Sequence, residues 1–216
     1  FGNVLGVAGT SGRFSAELEW KRTIIVPGGL AITPLFAVRG DALTIDTSDL
    51  IRSEAFRAIG TAGLDVRWPV LFSTTSATHV LEPVVQIFAR NNERYAGELP
   101  NEDAQSFVFD ASNLLERDKF SGWDRIEGGT RANFALRYSG TYSNGWSANA
   151  LFGQSYHLAG QNPFASPDLV AVGAYSGLET DTSDFVAAAG LANGRGLSFG
   201  ARGRFDERTF ETRRAE

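Results

Sequence analysis

Alternate residues are apolar along most of this chain. Phe14, Ala16, Leu18 and Trp20 form one row, which resumes at Ile24 and Val26 after a break at Arg22. Leu30, Ile32, Pro34, Phe36 and Val38 form the next, followed by Ala62, Leu64, Val66 and Trp68, and then by Leu81, Pro83, Val85, Ile87 and Ala89. Ala132, Phe134, Leu136 and Tyr138 are answered by Trp146, Ala148, Ala150 and Phe152. Phe185, Ala187, Ala189 and Leu191 are answered by Leu197, Phe199, Ala201 and Phe205. A period of two marks strands with one apolar and one wet face. With a weaker candidate at residues 3–9, the pattern predicts roughly nine strands and no helix.

The turns test this assignment. Opposed residues of an antiparallel hairpin share a face, so rows of equal parity need loops of odd length. Pro27-Gly28-Gly29, Ser143-Asn144-Gly145 and Asn193-Gly194-Arg195 each supply three residues. The strands look ~10–15 residues long against a mode of ~5–6. Ten residues tilted by ~40° climb about 25 Å, the height of an outer-membrane apolar band. Connections also separate by length, with the tight turns at one end and segments 41–57, 91–128 and 158 to about 180 at the other. Short periplasmic turns and long outer loops are the pattern of bacterial outer-membrane barrels. Tyr138, Tyr142 and Trp146 gather at the tight-turn end, as an interfacial girdle would, although packing in a sandwich core suits them equally. The expected fold is all-β, an antiparallel up-and-down transmembrane β-barrel, with Leu136, Phe152 and Phe199 toward lipid.

The opposite face carries both signs of charge: Arg13, Glu17, Glu19, Lys21, Arg39, Asp65, Arg67, Glu82, Arg90, Arg131, Arg137, Arg202 and Arg204. Charge this dense is prohibitive in a dry core, so the face is expected to meet water in a hydrated lumen.

Composition narrows the classes. Hydrophobic residues make up 43% of the 216, too many for a disordered chain. A net charge of −5 leaves no basic excess for nucleic acid. With no cysteine there is no disulfide framework and no thiolate metal site. The leading FGNVLGVAGTSG lacks the basic and apolar regions of a signal peptide. No stretch reads as a cofactor motif. His79 and His157 lie on separate predicted strands without a serine or carboxylate at a catalytic spacing, so no enzyme is expected. Glu93, Glu98, Glu102, Asp103, Asp110, Glu116 and Asp118 make the segment 91–128 acid-rich. It has no EF-hand spacing, and the expectation is an exposed, solvated loop rather than a Ca²⁺ or Mg²⁺ site. Nine strands with a terminus reading ETRRAE do not close a barrel of even strand number. Residues 1–216 are therefore expected to form a single domain that is one arc of a larger barrel.

Several segments resemble a known family. In order, they are THVLEP (78–83), QIFARNNE (86–93), SFVFDASNLLERDKFSGWDRIEGGTRANFALRYSG (106–140), GQSYHLAG (153–160) and GLETDTSDF (177–185). They are similar to the barrel domain of the lipopolysaccharide-assembly protein LptD, over roughly residues 60–210. The resemblance implies a very large barrel in the bacterial outer membrane, fed with lipopolysaccharide by a periplasmic Lpt bridge. Such a barrel releases the lipid through a lateral opening, and an LptE-like plug lipoprotein occupies its lumen in many members. Lipopolysaccharide and outer-membrane lipid are the implied partners. The family's periplasmic jellyroll, gate strands and disulfide cysteines are not recognisable in these residues. On this reading Arg90, Arg131 and Arg137 are candidates for the substrate path, since guanidinium groups grip phosphates and acidic sugars in bidentate fashion. Cross-barrel pairing with Glu or Asp is the alternative for these arginines. Another outer-membrane porin or receptor, and a soluble β-sandwich binding module, remain as competing architectures.

Overall fold

The computed structural model describes residues 10–46, 54–95, 98–99, 101–104, 107–166 and 172–216. The strands are β1 (Thr10–Lys21), β2 (Ile24–Ile25), β3 (Ala31–Asp46), β4 (Glu54–Arg67), β5 (Val70–Ser73), β6 (Ala77–Arg90), β7 (Thr130–Tyr142), β8 (Trp146–Ala159), β9 (Phe185–Asn193), β10 (Ser198–Phe205) and β11 (Thr212–Ala215). They form one antiparallel sheet in the order β1-β3-β4-β6-β7-β8-β9-β10-β11. β2 carries β1 onward along β3 after the interruption at Arg22, and β5 carries β4 onward along β6 past Trp68-Pro69. The result is a meander in which chain neighbours pair. Among the described residues there is no helix, and the sheet is single rather than the double layer of a sandwich.

The alternating rows fall as the sequence predicts. Phe36 lies opposite Trp20 and Ala62, and Leu136 lies opposite Pro83 and Phe152. This face is uncovered, with Leu18 78%, Val38 63% and Phe199 59% exposed, and with Leu136 and Phe152 exposed beside them. At the tight-turn end of the same face, the His79 ring stacks on Phe72 at 4.9 Å, and its Nδ1 lies 2.8 Å from the Tyr138 hydroxyl. That hydroxyl is in turn 3.1 Å from the hydroxyl of Tyr142.

Four details differ from expectation. The candidate strand at 3–9 lies outside the described residues. The third tight turn is Gly194-Arg195-Gly196, one position later than predicted, because the left-handed residue is Gly196 (φ 89°) and Asn193 Oδ1 accepts from the amides of Arg195 and Leu197 at 3.0 Å. β5 and β11 are additional strands, each four residues long and so too brief for their alternation to register. Of the segment 41–57, the described residues 41–46 and 54–57 are strand rather than loop. Beyond the Ala42–Phe56 pair its apolar residues change sides: Leu43, Ile45 and Ala55 point inward against Tyr95 and Leu99, while Thr44, Asp46 and Glu54 point out.

The largest correction concerns the polar face, which does not simply meet water. The described parts of the connections 91–129 and 160–184 fold back across it. Phe109, Leu114, Phe120, Phe164 and Leu178 from these loops pack on Val84, Ala135 and Val186 of β6, β7 and β9. The loops also draw the sheet together. Asp110 pairs with Arg202 of β10 at 3.2 Å, and Arg117 pairs with Glu17 and Glu19 of β1. Those two strands stand seven places apart, about 34 Å across a flat sheet at ~4.8 Å per strand. Residues 110 and 117 are joined by a segment that a Leu114 N–H to Asp110 O bond shortens. The sheet therefore curls, polar face inward, around the loop. It does not close: β1 and β11 each keep one edge without a strand partner among the described residues.

Candidate functional site: the charged face beneath the long loop

Near the long-loop end the strands place arginines inward, and the loop returns acids to meet them. Arg39, Arg57 and Arg131 stand at odd positions, and Arg90 at an even one because β6 alternates in the opposite phase. Two clusters result. The first centres on Arg57, which is 1% exposed. Its Nε pairs with Asp41 at 2.8 Å and its Nη1 with Glu93 at 2.6 Å, and the guanidinium also donates to the carbonyls of Trp123 and Asp124 at 2.8 and 2.7 Å. Arg39 shares Asp41 and lies 4.4 Å over the Trp123 ring. Arg125 approaches Glu93 at 3.9 Å. Burial pushes the Glu93 carboxyl above its usual range despite Arg57 and Arg125.

The second cluster centres on Glu127. One of its oxygens is 2.5 Å from Arg131 Nε, and the other accepts from the Lys119 amide at 3.0 Å. Lys119 Nζ donates to Asn133 at 3.2 Å, and Asn133 is tied to Gln86 and Ser155. Burial opposes the ionisation of Glu127, but Lys119, Arg131 and Arg90 outweigh it and hold the carboxyl below its usual range. Burial first, and the Glu127 charge second, push Asp118 up to about 6. Burial likewise pushes Lys119 down to about 8. A buried ion pair offsets its desolvation only when its remaining hydrogen bonds are satisfied. Backbone carbonyls and amide side chains supply part of them here, while Glu93 Oε2, Glu127 Oε1 and Arg131 Nε are buried without a hydrogen bond of their own.

The candidate residues divide on this map. Arg90 and Arg131 lie under the loop, Arg90 donating to the Arg117 carbonyl and Arg131 held by Glu127 and Asn162. Arg137 stands apart toward the tight turns, outside the loop's cover, in a cross-strand pair with Glu82 at 3.0 Å. The structure therefore joins Arg90 and Arg131 and leaves Arg137 separate. The acid-rich loop is not a solvated strap, since Glu93 and Glu127 are buried and Ala104 is 1% exposed. Asp41, Arg57 and Glu127 were missed as site residues, although the excess of bases over acids among the charges read on that face was a signal that further acids would come to meet them. His79 and His157 lie on opposite faces, His79 among aromatics and His157 with its Nε2 3.1 Å from the Gly160 carbonyl oxygen. Asp184, Asp206 and Glu207 bring carboxylate oxygens within 4.8 Å of one another, but Arg204 and Arg213 already pair with that group.

The stretch SGWDRIEGG (121–129) is where the loop is seated. The Asp103 carboxylate accepts from the amides of Trp123 and Asp124 at 2.8 and 2.9 Å, and Asp124 accepts in return from Glu102 and Asp103. Burial opposes ionisation of Asp103, yet these amides and Arg13 hold its carboxyl below the ordinary range. A family model described as LptD, the LPS transport system D, matches residues 3–216. The chain belongs to the LptD family. No curated protein matches it. In this LptD-family chain the segment resembling the family's loop is also the segment that Arg13, Arg39 and Arg57 grip from β1, β3 and β4. At its end Gly129 (φ 75°) leaves no room for a side chain, because a Cβ there would lie 2.8 Å from the Ala159 carbonyl oxygen.

Proposed function

We propose that this chain forms part of the wall of an outer-membrane translocon that inserts lipopolysaccharide into the outer leaflet. The observation that carries the reading is the match to the LptD family over a curled sheet with apolar residues outside and charge inside. In lipid every backbone N–H and C=O must find a partner, so the free edges of β1 and β11 would pair with further strands of a closed barrel. An arc of this kind has its lumen on the charged face, the tight turns in the periplasm and the loop 91–129 folded inward from the outer side. An LptE-like plug and a periplasmic Lpt bridge are the partners such a translocon would need. On this reading the three arginines have unequal parts: Arg137 presents a half-exposed guanidinium to the lumen, whereas Arg90 and Arg131 meet an anionic sugar only when the loop lifts.

Depletion of the parent protein tests the function. Surface lipopolysaccharide should fall, and cells should become sensitive to large hydrophobic antibiotics. Normal surface lipopolysaccharide after depletion would refute the reading. Restoring the parent with Arg137→Gln should slow delivery more than restoring it with Arg90→Gln, provided both variants fold.

A further inference from the structure

The apolar face is not evenly ridged. Between β6, β7 and β8, in the half nearer the long loops, Phe134, Leu136, Phe152, Tyr156, Leu158 and Phe185 wall a groove of about 730 Å³ floored by Pro83 and Ala132. No Asp, Glu, Lys or Arg lines it. Its two polar side chains are turned on their own chain: the Tyr156 hydroxyl donates to Gln154, and Gln154 Nε2 donates to the Ser183 carbonyl at 2.7 Å. Hydrocarbon demands this internal satisfaction and water does not.

The walls are rigid rings held by one another. Phe134 meets Tyr156 edge-on at 5.6 Å. Phe152 stacks on Phe185 at 5.3 Å, and Phe185 stacks on Phe210 at 4.9 Å. Phe210 is 59% exposed and has a left-handed backbone (φ 57°) that aromatic residues rarely adopt. A docking site for a protein carries a polar rim around its apolar centre. This groove lacks one along β6, because Val85, which lines it, and Ile87, the next residue on the same face, are both apolar and exposed.

We propose that the groove retains an acyl chain of lipopolysaccharide in the outer leaflet, as a lipid site on the outside of the wall and separate from the lumen. The inference rests on the translocon reading, which puts the long-loop half of the strands in the leaflet that receives this glycolipid.

The test places the photocrosslinker p-benzoylphenylalanine in the full-length parent protein in cells, at Leu136, at Phe152 and, as a control outside the groove on the same face, at Val38. Adducts are probed separately for lipopolysaccharide and for phospholipid. Leu136 and Phe152 should give several-fold more lipopolysaccharide adduct than Val38. Filling the groove with Pro83→Trp, at an exposed position, should bring Leu136 down to the level of Val38. Equal yields at all three positions, phospholipid adducts alone in the groove, or indifference to Pro83→Trp would each overturn the proposal while leaving the translocon reading standing. No lipid adduct at any position of a folded protein would remove both.

Discussion

The β3–β4 pair contains two regions of opposite pattern. Toward the tight turns its outward residues, Phe36, Val38 and Leu64, are apolar and uncovered. Toward the long loop its outward residues, Thr44, Asp46 and Glu54, are polar, and the apolar ones point inward onto Tyr95 and Leu99. The same two strands, in unbroken register, reverse their amphipathic sense after the Ala42–Phe56 pair. Backbone pairing is indifferent to the medium, but side-chain choice is not. The outward side follows the solvent outside, and the inward side follows what the loop presents. On the proposed topology the reversal marks the outer boundary of the hydrocarbon.

The most damaging way to break this contrast is to unpair the charges under the loop. Arg57→Ala leaves buried Asp41 with Arg39 alone and buried Glu93 with only Arg125 at 3.9 Å, and should cost about 3–5 kcal/mol. Urea unfolding of the protein in lipid vesicles would measure it. Arg137→Ala, which breaks a half-exposed pair, should cost no more than ~1 kcal/mol in the same assay. Equal losses would mean that the loop's cover does not matter.

Next in size is the boundary itself. Val38→Arg should cost ~2–4 kcal/mol in vesicles, and Thr44→Arg, on the same face six residues on, should cost ~0–1 kcal/mol. If both are costly, the apolar band extends past the reversal. If neither is, the face does not meet hydrocarbon.

A pH dependence sharpens the inward side. Asp118 holds its proton more tightly in the folded protein, up to about 6, than an ordinary aspartate at 3.8. The folded state is therefore favoured below pH 4, and that advantage is lost as pH rises through 6. Asp118→Asn should leave loop protection near wild type at pH 4 and raise it at pH 7.5, by at most ~1.4 kcal/mol for each pH unit separating the two values. Hydrogen exchange across residues 107–129 reads this out, and a loss of protection at pH 7.5 would contradict it.

The smallest effect lies at the opposite end. Gly145 has φ 82° with open space around it, so Gly145→Ala meets only backbone strain and should cost about 1 kcal/mol. Hydrogen exchange should then show the Tyr142–Trp146 turn weakened and the long loop unaffected.

What the sequence disclosed follows from where a single rule applied. The uncovered apolar rows at Phe36, Leu136 and Phe152 were legible because one kind of residue recurs there at every second position. The segment 41–57 was not, since its period of two persists while its phase changes, and a reader following even positions sees the row end at Val38. The loop was misread for a related reason. Glu93, Asp118 and Glu127 look like ordinary solvated acids until Arg57, Arg90 and Arg131 are brought to them from other strands, and no local pattern announces a pairing that distant. The turn at 193–196 slipped by one because Asn193-Gly194 fits the expected chemistry as well as Gly196 does.

The span of the loop's contacts has a consequence for the order of assembly. Its ties reach back to Arg13, 90 and 111 residues before Asp103 and Asp124, and forward to Arg202, 92 residues after Asp110. Hairpins close early because their ends are neighbours, whereas contacts over such separations lose chain entropy to loop closure before they stabilise anything. The loop cannot finish seating until β1 and β10 are both in place, so it is the last part of the arc to become resistant to proteases. A nick between residues 107 and 129 is thus a clock reading, reporting how far round the sheet construction had travelled when the chain was caught.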